Sequence, residues 1–294
     1  MPHQNTFKIK KLWWDQFPIQ LRLITKIRFF GSFGAGGVIY LTSLIFNNIG
    51  ISATAIGLGF TISAILGTIT RIITGNYLNK KNNIQLLLLI SSSLGIIGSL
   101  FLIIAKNTTL YIIGQSFIGS AAGIYWPTVE FAVPFLSHPI NTKKAYALVR
   151  SSEALGIFLG VLTGSFLNSF FYLKSIYFVD IICLLIIIDL TSNKKNQIYI
   201  FLNTQIKQSK TILDNKKEIW NINTKIILSS IILITTSLAL IQVTLPLDFV
   251  KGGLYRNPIS SEITSYVISL QLILLFLLQW PIGSWLAKKG NLFG

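Results

Sequence analysis

The sequence predicts an all-α polytopic membrane protein: a six-helix N-terminal bundle followed by the first two helices of a second, incomplete bundle. Three observations carry this. Of the 294 residues 52% are hydrophobic and only 12% charged, with a mean hydropathy of +0.65, which excludes a water-soluble domain. Eight stretches can each cross a hydrocarbon core roughly 30 Å thick, a crossing that takes about 20 apolar helical residues because the backbone must satisfy itself there. The basic residues collect in alternate connections between those stretches.

Residues 1–28 form a basic N-terminal segment. In it Trp13, Trp14, Phe17, Leu21, Ile24 and Ile27 oppose Lys10, Arg22, Lys26 and Arg28. That pattern reads as an amphipathic helix lying in the membrane interface, and a loosely ordered basic tail is the alternative. Residues 29–191 hold the first bundle, with spans at 29–49, 53–74, 84–105, 110–136, 151–170 and 172–191. Asp180 and Asp189 bracket the uninterrupted apolar run of the sixth span. Residues 192–224 are a polar, cationic central loop whose Ile198 to Leu202 run suits the membrane surface. Spans 225–247 and 262–285 make up a partial second bundle, residues 225–294.

Lysine and arginine set the orientation. One side of the membrane receives six before residue 29, Arg71, Lys80 and Lys81, then Lys143, Lys144 and Arg150, seven from Lys194 to Lys225, and Lys288 and Lys289. The other side receives only Lys106, Lys174, Lys251 and Arg256, so 21 basic residues face four. Both termini are expected in the cytoplasm of a multi-pass inner (plasma) membrane protein. The formal charge of +16 is therefore a topology signal and not a nucleic-acid footprint, since no single face gathers it. One cysteine and two histidines leave no metal cluster and no disulfide framework. No phosphate loop occurs, and His138 has no acid beside it in sequence, so neither an ATP-driven pump nor an enzyme is expected. No cofactor is expected.

The chain repeats itself. Gly75-Asn76-Tyr77-Leu78-Asn79-Lys80-Lys81-Asn82-Asn83 at the end of the second span aligns without a gap with Gly283-Ser284-Trp285-Leu286-Ala287-Lys288-Lys289-Gly290-Asn291 at the end of the eighth. The offset equals six spans plus the central loop. Parallel six-helix repeats related by an axis along the membrane normal build one class of secondary transporter.

On these residues the chain resembles the major facilitator superfamily. The loop after the second helix in that family carries a glycine, an aspartate and basic residues around a second glycine. Gly75, Lys80 and Lys81 fit the pattern, and so do Gly283, Lys288 and Gly290. Asn79, Asn82 and Ala287 depart from it. The resemblance implies alternating access, with Arg71, Gly75, Asn79, Lys80 and Lys81 and then Gly283, Lys288, Lys289 and Gly290 as cytoplasmic gating loops. It also implies a full length of over 400 residues, so the chain is expected to stop after the eighth helix, with a separately encoded remainder as one outcome. The fourth span shares the family's small residues from Gln115 to Gly123, with Gln115 where proton-coupled members carry arginine. Gly156, Gly160 and Gly164 in the fifth span resemble the glycine-rich fifth helix of exporters, with Val161 in place of its proline. Ordinary close helix packing is the other reading of those glycines.

Ionisable residues inside spans are the first candidates for transport, because an uncompensated acid at the bilayer centre costs roughly 2.5–3.5 kcal/mol on insertion scales. Asp180 reads either as a proton-coupling carboxylate or as a neutral acid hydrogen-bonded to a neighbour. Glu130 reads as a second coupling group or as the partner of Arg71 or Arg150, and Arg150 with Glu153 as a local helix pair. Trp126-Pro127, Pro134, Pro246 and Pro281 are expected to break the hydrogen-bond ladders of their helices and expose carbonyls. With Tyr40, Asn47, Tyr125, Gln242 and Gln271 they would form an aromatic and amide wall for a small amphiphilic solute, or merely kinks with no ligand. The leading function is a secondary active transporter, with lipid, a small solute and protons as partners and efflux as its direction. A non-transporting remnant, or one part of a split transporter, is the alternative.

Overall fold

Asn83, Asn107 and Asn141 each stand one residue before a helix, and each side chain accepts a hydrogen bond from a first-turn backbone N–H (Leu86, Leu110 and Lys143). These caps satisfy donors that helix starts leave open. Gly50, at φ +92°, makes the tight turn after the first helix in a conformation that side chains disfavour. A computed structural model describes residues 13–81, 83–170, 173–192, 222–252 and 256–288. Among them are eight α-helices: α1 (Ile19–Asn48), α2 (Ala53–Lys81), α3 (Ile84–Ile104), α4 (Thr108–Leu136), α5 (Thr142–Ser169), α6 (Ile176–Ser192), α7 (Ile222–Lys251) and α8 (Ser261–Lys288). No strand occurs among the described residues.

Five of these helices, α1, α2, α3, α5 and α8, have apolar windows that can cross a membrane by length and composition. At 17 residues, α6 is about 25 Å long. Short connections reverse the chain at each step from α1 to α6 and from α7 to α8, and Gly283 of α8 packs on Ala147 near the start of α5. The starts of α1, α3, α5 and α7 and the ends of α2, α4, α6 and α8 therefore share one end of the molecule, the basic end below. Gly75 and Gly283 both lie there, each about a turn and a half before its helix stops.

One expectation is corrected. The interfacial helix expected within residues 1–28 is instead the opening of α1, which runs unbroken from Ile19. Leu21, Ile24 and Ile27 are buried in the protein core; a periodic apolar stripe suits a lipid interface and a protein interior equally well. Ahead of α1, a short 3-10 turn, Trp13–Gln16, lays Trp13 against Trp280 of α8, with ring centroids 5.1 Å apart. The prolines interrupt the backbone ladder without ending their helices. Pro127 and Pro134 lie inside an unbroken α4, as do Pro246 in α7 and Pro281 in α8. The carbonyl of Glu130, which Pro134 leaves without its helical donor, accepts from the Tyr146 hydroxyl at 3.2 Å. The central loop lies outside the described residues from 193 to 221, as do residues 1–12.

In the first bundle α1 packs on α5 and α6, α3 on α4 and α6, and α2 on α4, while α8 packs on α5. α1 is the most buried of the five apolar helices and α2 the least. Two apolar cores result. The one toward the basic end gathers Leu21, Ile24, Leu88, Val129, Val149 and Ile187. The other gathers Leu41, Phe46, Leu102, Tyr111, Val161 and Tyr177. At the far end Lys174 donates to the carbonyls of Ile103 and Ala105 at 3.0 and 2.8 Å, closing the C-terminus of α3. Burial, and then neighbouring Lys106, hold the Lys174 ammonium below the usual lysine pKa.

Gly156, Gly160 and Gly164 form the α5 side of the α1–α5 seam. A Cβ at Gly156 would stand 2.6 Å from the carbonyl oxygen of Phe29, and one at Gly36 of α1 would stand 2.7 Å from that of Ile157. Gly160 meets the Phe33 carbonyl as closely. The two backbones approach to a distance only glycine allows. Gly160→Leu is expected to lower the thermal midpoint of detergent-purified protein, with a cost of about 1–3 kcal/mol from overpacking. Gly75→Ala, where a Cβ meets nothing within 4 Å, is expected to leave the midpoint unchanged or slightly raised.

Candidate functional site: a buried ion-pair box and a carboxylate pocket

Arg28 lies about 13 Å along α1 from its start and is 1% exposed. A guanidinium in such a place needs acceptors. Its Nη2 donates to Glu130 Oε1 of α4 at 2.9 Å and to Glu153 Oε2 of α5 at 2.7 Å. Arg150 completes the box, 2.9 Å from Glu130 and 3.0 Å from Glu153. Two cations and two anions thus cancel. The Arg28 guanidinium also sits 4.2 Å from the centroid of the Trp126 ring, a cation–π contact, while Nε and Nη1 have no hydrogen-bond partner among the described residues. Arg71 of α2 joins these residues around a cavity of about 410 Å³ toward the basic end.

Deeper in, between the two cores, Asp180 of α6 is 5% exposed. Its Oδ2 accepts from Ser99 of α3 at 2.6 Å. Oδ1 abuts Gly34 of α1, where a side chain would overlap it, and receives no hydrogen bond among the described residues. Asp180 lines a pocket of about 80 Å³ among α1, α3, α4 and α6, walled also by Gly31, Ala122, Tyr125, Trp126, Ser91 and Leu184. Tyr125 donates from its hydroxyl to the carbonyl of Ile27 at 2.8 Å, a second tie between α4 and α1. Trp126 belongs to both cavities and is their common wall.

The structure brings some of the sequence candidates together and separates others. Glu130, Arg71 and Trp126 meet in the charged cavity, and Asp180 shares Trp126 from the other side. Glu130 pairs with Arg150, as one reading had it, and Arg150 pairs locally with Glu153. Tyr40 is buried in the far core, Asn47 stands in the last turn of α1 and Gln271 is exposed on α8, so none of them lines the Asp180 pocket. Asn79 and Lys80 are exposed at the end of α2. Gly283 packs on α5, where a Cβ would stand 2.8 Å from that of Ala147. The side chains of Lys81, Gln242 and Lys288, and all of Lys289 and Gly290, lie outside the described residues. Sequence reasoning placed Arg28 on an interfacial basic face and so missed the centre of the box. Its partners lie 102 and 125 residues away, a separation that no local pattern reports.

Comparison with known proteins follows the same lines. A model of the Major Facilitator Superfamily matches residues 27–293. Among solved structures, the tetrameric PepTSo2 aligns with a TM-score of 0.66 at 12% identity, covering 90% of this chain and 70% of that one. A bacterial homologue of the human drug peptide transporters PepT1 and PepT2 aligns with a TM-score of 0.62 at 14% identity, covering 92% and 71%. These likenesses are of fold. Comparison with curated proteins gives no match.

Removing one member of a buried ion-pair network strands the others. Arg28→Met is expected to cost about 3–5 kcal/mol, read as a lowered unfolding midpoint in detergent. Arg150→Met, at the half-exposed corner of the box, is expected to cost about 1 kcal/mol or less.

Proposed function

The chain belongs to the major facilitator superfamily, and from that premise we propose a secondary active transporter that moves a small amphiphilic solute by alternating access, coupled to protons through Asp180. One observation carries the coupling: Asp180 is the buried acid without an ion pair among the described residues, and it lines a pocket enclosed by α1, α3, α4 and α6. A carboxylate so placed is stable when it holds a proton or a cation and costly when it holds neither. Cycling between those conditions is what coupling requires.

In this reading the basic end is cytoplasmic, on the charge asymmetry of the connections, and the membrane is the inner one. The Arg28 box ties α1, α4 and α5 on that side, with Arg71 and the end of α2 at its margin. The ends of α2 and α8, which carry the repeated residues, lie on the same side, and the gating role is assigned to them. Export is the direction favoured by the likeness of the α5 glycine segment to that of exporters. Twelve and 14% identity support the fold of the peptide transporters and not their substrate.

Proteoliposomes loaded with a pH-sensitive dye and given a proton gradient test the proposal against a panel of amphiphiles: cationic ethidium, uncharged Nile red and anionic fluorescein. At least one is expected to be driven by the gradient. Asp180→Asn is expected to reduce gradient-driven flux at least about tenfold, the scale of one lost charged interaction, while leaving exchange down the solute's own gradient. Equal driven flux in both proteins would remove Asp180 from coupling. Flux no greater than in empty liposomes for every compound would sink the transport reading.

A further inference from the structure

The Asp180 pocket has a chemistry beyond proton exchange. Its carboxylate is fully inside the bundle, yet no Lys, Arg or His is among the residues that line the pocket. The ion-pair box lies beyond Trp126 and is already neutral within itself. The pocket therefore offers one negative charge with no positive group of the protein to answer it. Ser99 is the one side chain among the described residues that donates to the carboxylate, at Oδ2, and Gly34 packs against Oδ1 without adding a charge.

The remaining walls fit one kind of partner. Trp126 and Tyr125 present aromatic rings, which attract organic cations. Gly31, Ala122 and their small neighbours leave an apolar lining that suits methyl or methylene groups and offers little to a hydrated metal ion. An anion would meet Asp180 directly. An uncharged polar head would leave the carboxylate uncompensated.

We propose that this pocket receives the ammonium head of a small amphiphilic amine, with the head between the Asp180 carboxylate and the Trp126 and Tyr125 side chains and the apolar tail along α1 and α4. The assignment names the substrate class for the transport reading and rests on it. At about 80 Å³ the pocket takes a head group and not a whole drug-sized molecule, for which clefts of roughly 300–1,000 Å³ are usual.

The test is equilibrium binding of phenyltrimethylammonium to the full chain in lipid nanodiscs, with tert-butylbenzene as its uncharged isostere and benzenesulfonate as an anion of similar outline. Wild type is expected to bind the ammonium, with neither of the other two displacing it at equal concentration. Asp180→Asn is expected to weaken binding at least about tenfold and Asp180→Glu by only about threefold, as for a retained charge in a shifted position. Ala122→Leu fills the pocket while leaving the charge in place, and is expected to weaken binding as well, which keeps the test sharp should Asp180→Asn fold poorly. Absence of ammonium binding to wild type, equal binding by wild type and a well-folded Asp180→Asn, or displacement by tert-butylbenzene at equal concentration would overturn the proposal. Driven flux of Nile red or fluorescein without ammonium binding would refute the amine site and spare the transport reading. Ammonium binding with no flux of any compound would do the reverse.

Discussion

A guanidinium withdrawn from both water and lipid must be given anions by the fold, and the arrangement of the first bundle follows from where Arg28 finds them. Glu130 comes from α4 and Glu153 from α5, so a single side chain on α1 fixes the approach of two helices otherwise separated in the packing. α4 packs chiefly on α2 and α3, and α5 on α1 and α8. The α1–α4 seam is thus held at the basic end by charge and by the Tyr125 hydroxyl on the Ile27 carbonyl, with little apolar packing of its own. Farther along the same seam lies the pocket that Asp180 lines.

The two devices that hold α1 in place differ in kind. Against α5 the contact is steric: glycines on both helices bring the backbones together, and dispersion over a close surface stabilises the pair where lipid removes the hydrophobic drive. Against α4 the contact is electrostatic and polar. A steric seam resists sliding and opening alike. An ion-pair box exchanges partners when water or a charged group reaches it, and Arg71 and Arg150 stand ready around the same cavity. In a protein that works by rocking, the exchangeable contact is the one suited to move.

Much of the fold was legible in the sequence because lipid imposes a simple rule on helix length and composition. Spans two to four and seven and eight began within a few residues of the observed helices, and asparagine caps mark several starts. The start of α1 was misplaced by ten residues because amphipathic periodicity does not say what covers the apolar face. The prolines were legible as gaps in the helix ladder, whereas the neighbour that answers a freed carbonyl, Tyr146 at Glu130, was not. Asp180 was legible as a charge in an apolar run. Arg28 was not, since its meaning lies in residues of two other helices more than a hundred positions away. Pairing of Glu130 with Arg150 was one of the readings open from sequence, and it is the one found, because both fall near the same end of adjacent spans.

The dependence of the α1–α4 seam on charge is the central claim, and a double-mutant cycle between Arg28→Gln and Glu130→Gln measures it most directly through unfolding free energies in mixed micelles. Direct pairing predicts a coupling energy above about 1 kcal/mol, because residues in one ion-pair network do not contribute independently. Additivity within about 0.5 kcal/mol, the behaviour of distant sites, would contradict it.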